Sequence, residues 1–389
     1  MMVTIGKITT LFSFFCFFTK IVAFSQIIPG AERTDKYINL LTNKNIAIIT
    51  NHTGLVSGVH IVDTLLSLDI KVKKIFCPEH GFRGIADAGQ NIENSKDIET
   101  GLPIVSLYGS KKKPSKEDME NIDILLYDLQ DVGVRYYTYI STLHYVMESA
   151  AENQKPLIVL DRPNPNGFYI DGPVLDTSLR SFVGIHPIPI VYGMTIGELG
   201  KMINGEGWLK DRNQCDLTVI ECLNYTHDCK YELPVPPSPN LPNMASVYLY
   251  PSLGFFEGTV VSAGRGTPFP FQIYGHPLLK ENITFTFTPE PMEGAYSPKF
   301  NGTKCYGKDL RNTPIAKGEN NKIELSFLVD AFKNLNLPNF FNNYFKFLAG
   351  NRSLQKQINE GIDIELIREG WETDIETFKQ KREKYLIYQ

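Results

Sequence analysis

The stretch IDILLYDLQ, Ile122–Gln130, decides the fold. It is a nearly continuous apolar run that ends in acidic and polar residues. A strand with one wet face alternates apolar and polar residues; a strand covered on both faces has no need to. Ile122–Gln130 therefore reads as a central strand of a parallel sheet. Its polar end then lies at the sheet's carboxyl edge, where open α/β sheets bind ligands.

A parallel sheet needs crossover helices, and the flanking sequence supplies them. NIAIITN (Asn45–Asn51), VKKIF (Val72–Phe76), PIVSLYG (Pro103–Gly109), PLIVLDRPNP (Pro156–Pro165) and DLTVIEC (Asp216–Cys222) read as strands. VHIVDTLLSL (Val59–Leu68), YTYISTLHYVMESAAEN (Tyr137–Asn153) and MTIGELGKMINGEGWL (Met194–Leu209) read as helices from their three- and four-residue apolar spacing. Thr195 and Glu198 stand at the positions of a capping box. SKEDMENID (Ser115–Asp123) also reads as helical, with Ser115 as N-cap. This β-α rhythm predicts a Rossmann-like, doubly wound parallel sheet with right-handed crossovers. No Gly-x-Gly-x-x-Gly follows the first strand, so the fold implies no dinucleotide, and no cofactor is expected.

The pattern changes after Leu233. PVPPSPNLPN (Pro234–Asn243) excludes helix and central strand. A glycine-rich aromatic stretch follows, then ITFTFTPEP (Ile283–Pro291), which alternates like an antiparallel strand, and then the helical KIELSFLVDAFKNL (Lys322–Leu335) and Leu354–Tyr388. The expected organisation is a leader at 1–25, a Rossmann-like domain at 26–260 and a smaller α+β domain at 261–389 that closes a cleft. A chain of 389 residues has room for two cores.

The leader is read from Lys7, the apolar run Ile8–Phe18 and the small-x-small site Ala23-Phe24-Ser25. That run is too short to span a bilayer, so the expectation is an exported, periplasmic protein cleaved after Ser25, with no lasting membrane insertion. A net charge of −4 argues against a nucleic-acid partner. Export would permit disulfides, and Cys222 with Cys229 is one spacing that allows a bridge; Cys215 competes with it. Cys77 reads as a small buried residue.

Four polar clusters follow strands and so converge on one edge. They are Asn51–Gly54 with His52, Glu79–Gly84 with His80 and Arg83, Asp128–Tyr137, and Asp161–Gly167 with Arg162 and Asn164. Within the third lie Gln130, Asp131, Arg135, Tyr136 and Tyr137. Each has a plainer reading. Asp161 and Arg162 pair locally, Asp128 or Asp131 caps a helix, and the histidines are satisfied loop residues. A metal site from His52, His80, Asp128 and Asp131 is an alternative whose spacing is not diagnostic. Glu79, between a proline and a histidine on a strand-end turn, is badly placed to cap a helix and well placed for acid chemistry. Later stretches add His186, Tyr192, Asn240, Asn243, Glu257, Thr259, Arg265 and Thr267; the plain reading of Glu257 and Arg265 is a structural ion pair.

PEHGFRG, DLQDVGVRYYTY, LDRPNPNG, DGPVL, GIHPIPIVYGMTIGEL, PSPNLPN, YPSLGFFEGT and SAGRGT, in this order, resemble the exo-β-N-acetylmuramidases of bacterial cell-wall recycling. The resemblance runs from about Asn45 to the C-terminal helix. It implies release of N-acetylmuramic acid from the non-reducing end of peptidoglycan fragments, with saccharides such as MurNAc-GlcNAc as partners. It also implies a cleft between two domains, and Glu79 as the catalytic acid/base. The second carboxylate is left among Asp128, Asp131 and Glu257, or is replaced by the substrate's own acetamido group. Arg83, Arg135, Arg162 and Arg265 are candidates for the lactyl carboxylate. Tyr136, Tyr137 and Tyr139 are candidates for the sugar ring. One departure from the family pattern is Gly254, where a bulkier residue or cysteine often stands. The competing classes are a non-catalytic muropeptide-binding protein and a metal-dependent hydrolase.

Overall fold

The computed structural model describes residues 26–79, 81–82, 95–279 and 284–388. The leader expected at 1–25, His80 and Arg83 lie outside them. The strands are β1 (Asn45–Thr50), β2 (Leu55–Val56), β3 (Val59–His60), β4 (Lys71–Cys77), β5 (Ser95–Lys96), β6 (Pro103–Ser106), β7 (Ile124–Asp128), β8 (Leu157–Leu160), β9 (Leu217–Ile220), β10 (Ile273–His276), β11 (Thr286–Phe287) and β12 (Cys305–Asp309). The helices are α1 (Thr34–Leu41), α2 (Ile61–Ser67), α3 (Tyr139–Glu152), α4 (Ile196–Gly205), α5 (Met244–Leu253), α6 (Ser326–Leu335), α7 (Phe345–Ala349), α8 (Ser353–Asn359), α9 (Ile364–Glu369) and α10 (Glu372–Arg382).

Seven strands form one sheet in the order β5-β6-β4-β1-β7-β8-β9. Every pairing in it is parallel except that of the edge strand β5. β7, the strand of IDILLYDLQ, is buried throughout and sits between β1 and β8. Its alternate residues serve opposite faces. Leu125 and Tyr127 join the core that holds α3 and α4, while Ile124 and Leu126 join the core that holds α1 and α2. An apolar residue at each position is what two covered faces require.

A second, three-stranded antiparallel sheet, β10-β12-β11, belongs to the C-terminal part. The core under α3 and α4 continues into α6 and α7, through Leu328, Phe345 and Leu348. Arg135 fastens the two parts. It is fully buried, and its guanidinium donates to the carbonyls of Pro173, Ile188, Leu348 and Ala349 at 2.7–3.0 Å. Burial pushes its pKa down to about 9. Gly350 makes room for it: a Cβ there would come 2.3 Å from Nη2. The chain end is tied back too. The Tyr388 hydroxyl donates to Asp161 at 2.7 Å, and the amides of Ile387 and Tyr388 donate to Glu198.

Local expectations met different fates. The Thr195–Glu198 capping box is present in both directions. Ser115–Asp123 forms only a 3-10 turn, Glu117–Met119, because Asp118 turns back to accept from the Ser115 amide and Asn121 takes a left-handed φ of 58°. Ile283–Pro291 yields only β11, two residues before Pro289. The charged stretch Leu354–Tyr388 breaks at Gly361, φ 71°, and again at Gly370. All five described cysteines are thiols, so the Cys222–Cys229 pairing is not made. Cys222 instead directs its sulfur at the Asp161 carbonyl. Among the described residues no helix is long and apolar enough to cross a membrane.

Candidate active site

Beyond the carboxyl edge lies a cleft of two joined chambers. Glu79, Tyr108, Glu257, Arg265 and Tyr344 belong to the walls of both. Glu79 stands two residues past the end of β4, half-buried, and its Oε2 accepts from the Thr138 hydroxyl at 3.1 Å. Thr138 precedes the first turn of α3, so strand end and helix start fix this carboxylate together. Glu257 lies on the 3-10 turn Gly254–Gly258 that continues α5.

Arg265 organises the opposite wall. Its Nη1 reaches Glu257 Oε1 at 3.0 Å, its Nε reaches Asn240 Oδ1 at 3.1 Å, and its Nη2 reaches the Gly294 carbonyl at 2.9 Å. Asn240 donates to that same carbonyl. The Lys299 ammonium turns inward and donates to the carbonyls of Phe256, Thr259 and Val261 at 2.7–3.1 Å, gripping the backbone on both sides of Glu257. The position of Glu257 is thus held from the side chain and from the main chain.

The tyrosines of VGVRYYTY form the floor. Tyr136 donates to the Pro251 carbonyl at 2.7 Å and Tyr137 to the Pro237 carbonyl at 2.8 Å, while Tyr139 accepts from Asn51. With their hydroxyls committed to protein, their rings are left to line the cavity beside Tyr250 and Phe271. Gly254 is part of this arrangement: a Cβ there would meet the Tyr136 ring at 2.5 Å. The smaller residue at this point of departure leaves the ring its place.

Of the residues singled out in the sequence, the cleft therefore gathers Glu79, Tyr136, Tyr137, Tyr139, Asn240, Glu257 and Arg265. Others are drawn into the scaffold. Asp128 is fully buried and locked to Arg162, with Nε–Oδ1 2.5 Å and Nη2–Oδ2 2.9 Å. Arg135 is the interdomain clamp. Gln130 donates to the carbonyls of Asp131 and Pro163, Asn164 to that of Met194, and His52 bonds the Pro236 carbonyl. These commitments take up His52 and Asp128 of the metal set His52, His80, Asp128 and Asp131, whose His80 lies outside the described residues; among the described residues no three His, Cys, Asp or Glu are placed to hold a metal ion.

Asp131 is also buried. It accepts from the Tyr192 hydroxyl and from the Gly133 amide, while its other oxygen has no partner. Burial pushes its carboxyl up from 3.8 to about 6. A raised carboxyl favours protonation in the folded state, so its contribution to stability is present at low pH and is lost as pH rises from about 4 through about 6. Asp131→Asn is expected to remove that slope, to be at least as stable as wild type at pH 7 by on the order of 2 kcal/mol, and to keep activity. Denaturant titration of both proteins from pH 4 to 7 checks it; parallel curves would refute it.

Sequence reasoning missed Tyr108, Phe182, Ser238, Tyr250, Lys299 and Tyr344, all on the cleft walls. Phe182, Ser238, Lys299 and Tyr344 come from loops and from the C-terminal part, where no strand-end rule marks a position; Tyr250 lies on α5, and Tyr108, two residues past β6, is a strand-end position the polar clusters did not include. The nearest signal was the aromatic density of Val247–Phe256.

Two carboxylates on an aromatic-walled cleft of an α/β scaffold are the equipment of a glycoside hydrolase. Comparison with known proteins gives the family. Residues 46–245 match the model described as exo-beta-N-acetylmuramidase NamZ, N-terminal, and residues 248–388 match its C-terminal counterpart. The chain belongs to the NamZ exo-β-N-acetylmuramidase family. It is 40% identical over 372 residues to the peptidoglycan beta-N-acetylmuramidase NamZ of Bacillus subtilis, covering 90% of this chain and 89% of that one. Two crystal structures of DUF1343 family proteins from Bacteroides fragilis share the fold. One has a TM-score of 0.86 at 48% identity over 94% of this chain and 99% of its own; the other has 0.80 at 28% over 93% and 99%.

Proposed function

We propose that this chain is an exo-acting glycoside hydrolase that releases N-acetylmuramic acid from the non-reducing end of peptidoglycan fragments. The observation that carries the reading is the pair Glu79 and Glu257 on shared walls of one aromatic cleft, in a chain of this family. Glu79 protonates the glycosidic oxygen as the bond to the anomeric carbon breaks. Water then adds its oxygen to that carbon and returns a proton to Glu79. Glu257 stabilises the positive charge that develops on the sugar, and Arg265 holds it in place. Arg265, on the same walls, is the described arginine that remains near enough to meet a lactyl carboxylate. The leader read at the N-terminus supports a site of action outside the cytoplasm, in turnover and recycling of wall fragments.

The test is incubation of the purified protein with a MurNAc-GlcNAc disaccharide. Free N-acetylmuramic acid is the expected product, with or without chelator. Bound but intact disaccharide would move the protein to the muropeptide-binding class, and loss of release with chelator would favour a metal-dependent hydrolase. Glu257→Gln is expected to lower kcat by about 10²-fold or more; an unchanged kcat would leave the acetamido group of the substrate to do the work.

A further inference from the structure

The two chambers differ in what lines them and in how much room they hold. One has aromatic walls, with Tyr136, Tyr137, Phe182, Tyr250 and Phe271, and about 120 Å³ of free space. The other shares Tyr108 and Tyr344 and adds Phe256, but the rest of its wall is small or polar, with Ser262, Ala263, Ala295, Ser297, Pro298 and Lys299, and it has about 480 Å³. Glu79 and Glu257 belong to both, so the bond to be cleaved lies where the chambers meet.

The geometry points to a division of the substrate: the aromatic chamber holds the terminal sugar, and the wider chamber takes the saccharide that leaves. This rests on the glycosidase reading and assigns its two sides. Aromatic faces hold a sugar ring by stacking. Small side chains leave space for further sugars. The wider chamber is also built to keep its shape. The turn Met292–Ala295 is fixed by the Gly294 carbonyl, which accepts from Arg265 and Asn240, and the segment ends at Lys299 with its three carbonyl partners. Selectivity for the leaving saccharide therefore resides in residues 292–299.

Ser297 is exposed on that wall, so a large side chain there obstructs the chamber without entering the core. Ser297→Trp is compared with wild type on two substrates, the MurNAc-GlcNAc disaccharide and β-N-acetylmuramyl fluoride, whose leaving group is a single atom. The expected result is a fall of at least about tenfold in kcat/KM for the disaccharide, with the fluoride unchanged within about twofold. Phe182→Ala, on the aromatic side, is expected to lower both together. Equal loss on both substrates by Ser297→Trp, or no loss on either, overturns the division. Failure of wild type to cleave either substrate overturns the glycosidase reading and the division with it.

Discussion

Glu79→Gln is expected to lower kcat for muramic acid release by about 10²–10⁴-fold, the usual contribution of a positioned general acid. The substitution keeps the shape of the side chain and an oxygen for the Thr138 hydroxyl, 3.1 Å away in the wild type. It removes only the proton that the departing oxygen needs. Substrate affinity should change little, and so should thermal stability, because the group is only half-buried at the cleft wall and the amide that replaces it has the same shape. Steady-state kinetics beside a melting curve separate the two effects. A folded variant that cleaves at the wild-type rate would remove Glu79 from the chemistry.

The largest loss of stability is expected from Asp128→Ala. The Asp128 carboxylate and the Arg162 guanidinium are each almost wholly out of water and meet through two short hydrogen bonds. Taking away the acid strands a cation beneath the sheet edge, which costs about 3–5 kcal/mol. Arg162 also donates to the Leu55 carbonyl, so the small β2–β3 hairpin should loosen with it. The fraction that stays folded should hydrolyse substrate within about twofold of wild type. A stable variant with a collapsed kcat would be the opposite outcome and would return Asp128 to the active site.

That contrast shows why one strand-end carboxylate was legible as a site residue and another was misleading. Asp128 closes β7 and Glu79 stands two residues past β4, so the strand-end argument reaches both. What separates them is the order of strands. β8 lies next to β7, and its end brings Arg162 onto Asp128, whereas Glu79 follows β4, past the end of which the C-terminal part supplies Tyr344 and Arg265. Neighbour relations across a sheet are absent from a linear pattern. The sheet itself was readable because β1, β7 and β8 are apolar on both faces, and α4 because its cap is written in Thr195 and Glu198. The 3-10 turn at Glu117–Met119 and the two-residue strand β11 are too short to impose a period.

The return of the chain end to Asp161 and Glu198 has a consequence for synthesis. Asp161 sits just past β8 and Glu198 opens α4, 189 to 227 residues before their partners, yet each gains a hydrogen bond from the last two described residues. On the ribosome, the sheet can assemble as it emerges, but these carboxylates wait for those bonds until residues 387 and 388 have followed it. A protein shortened by a few residues at this end would carry its defect not at the end itself but beneath the middle of the sheet.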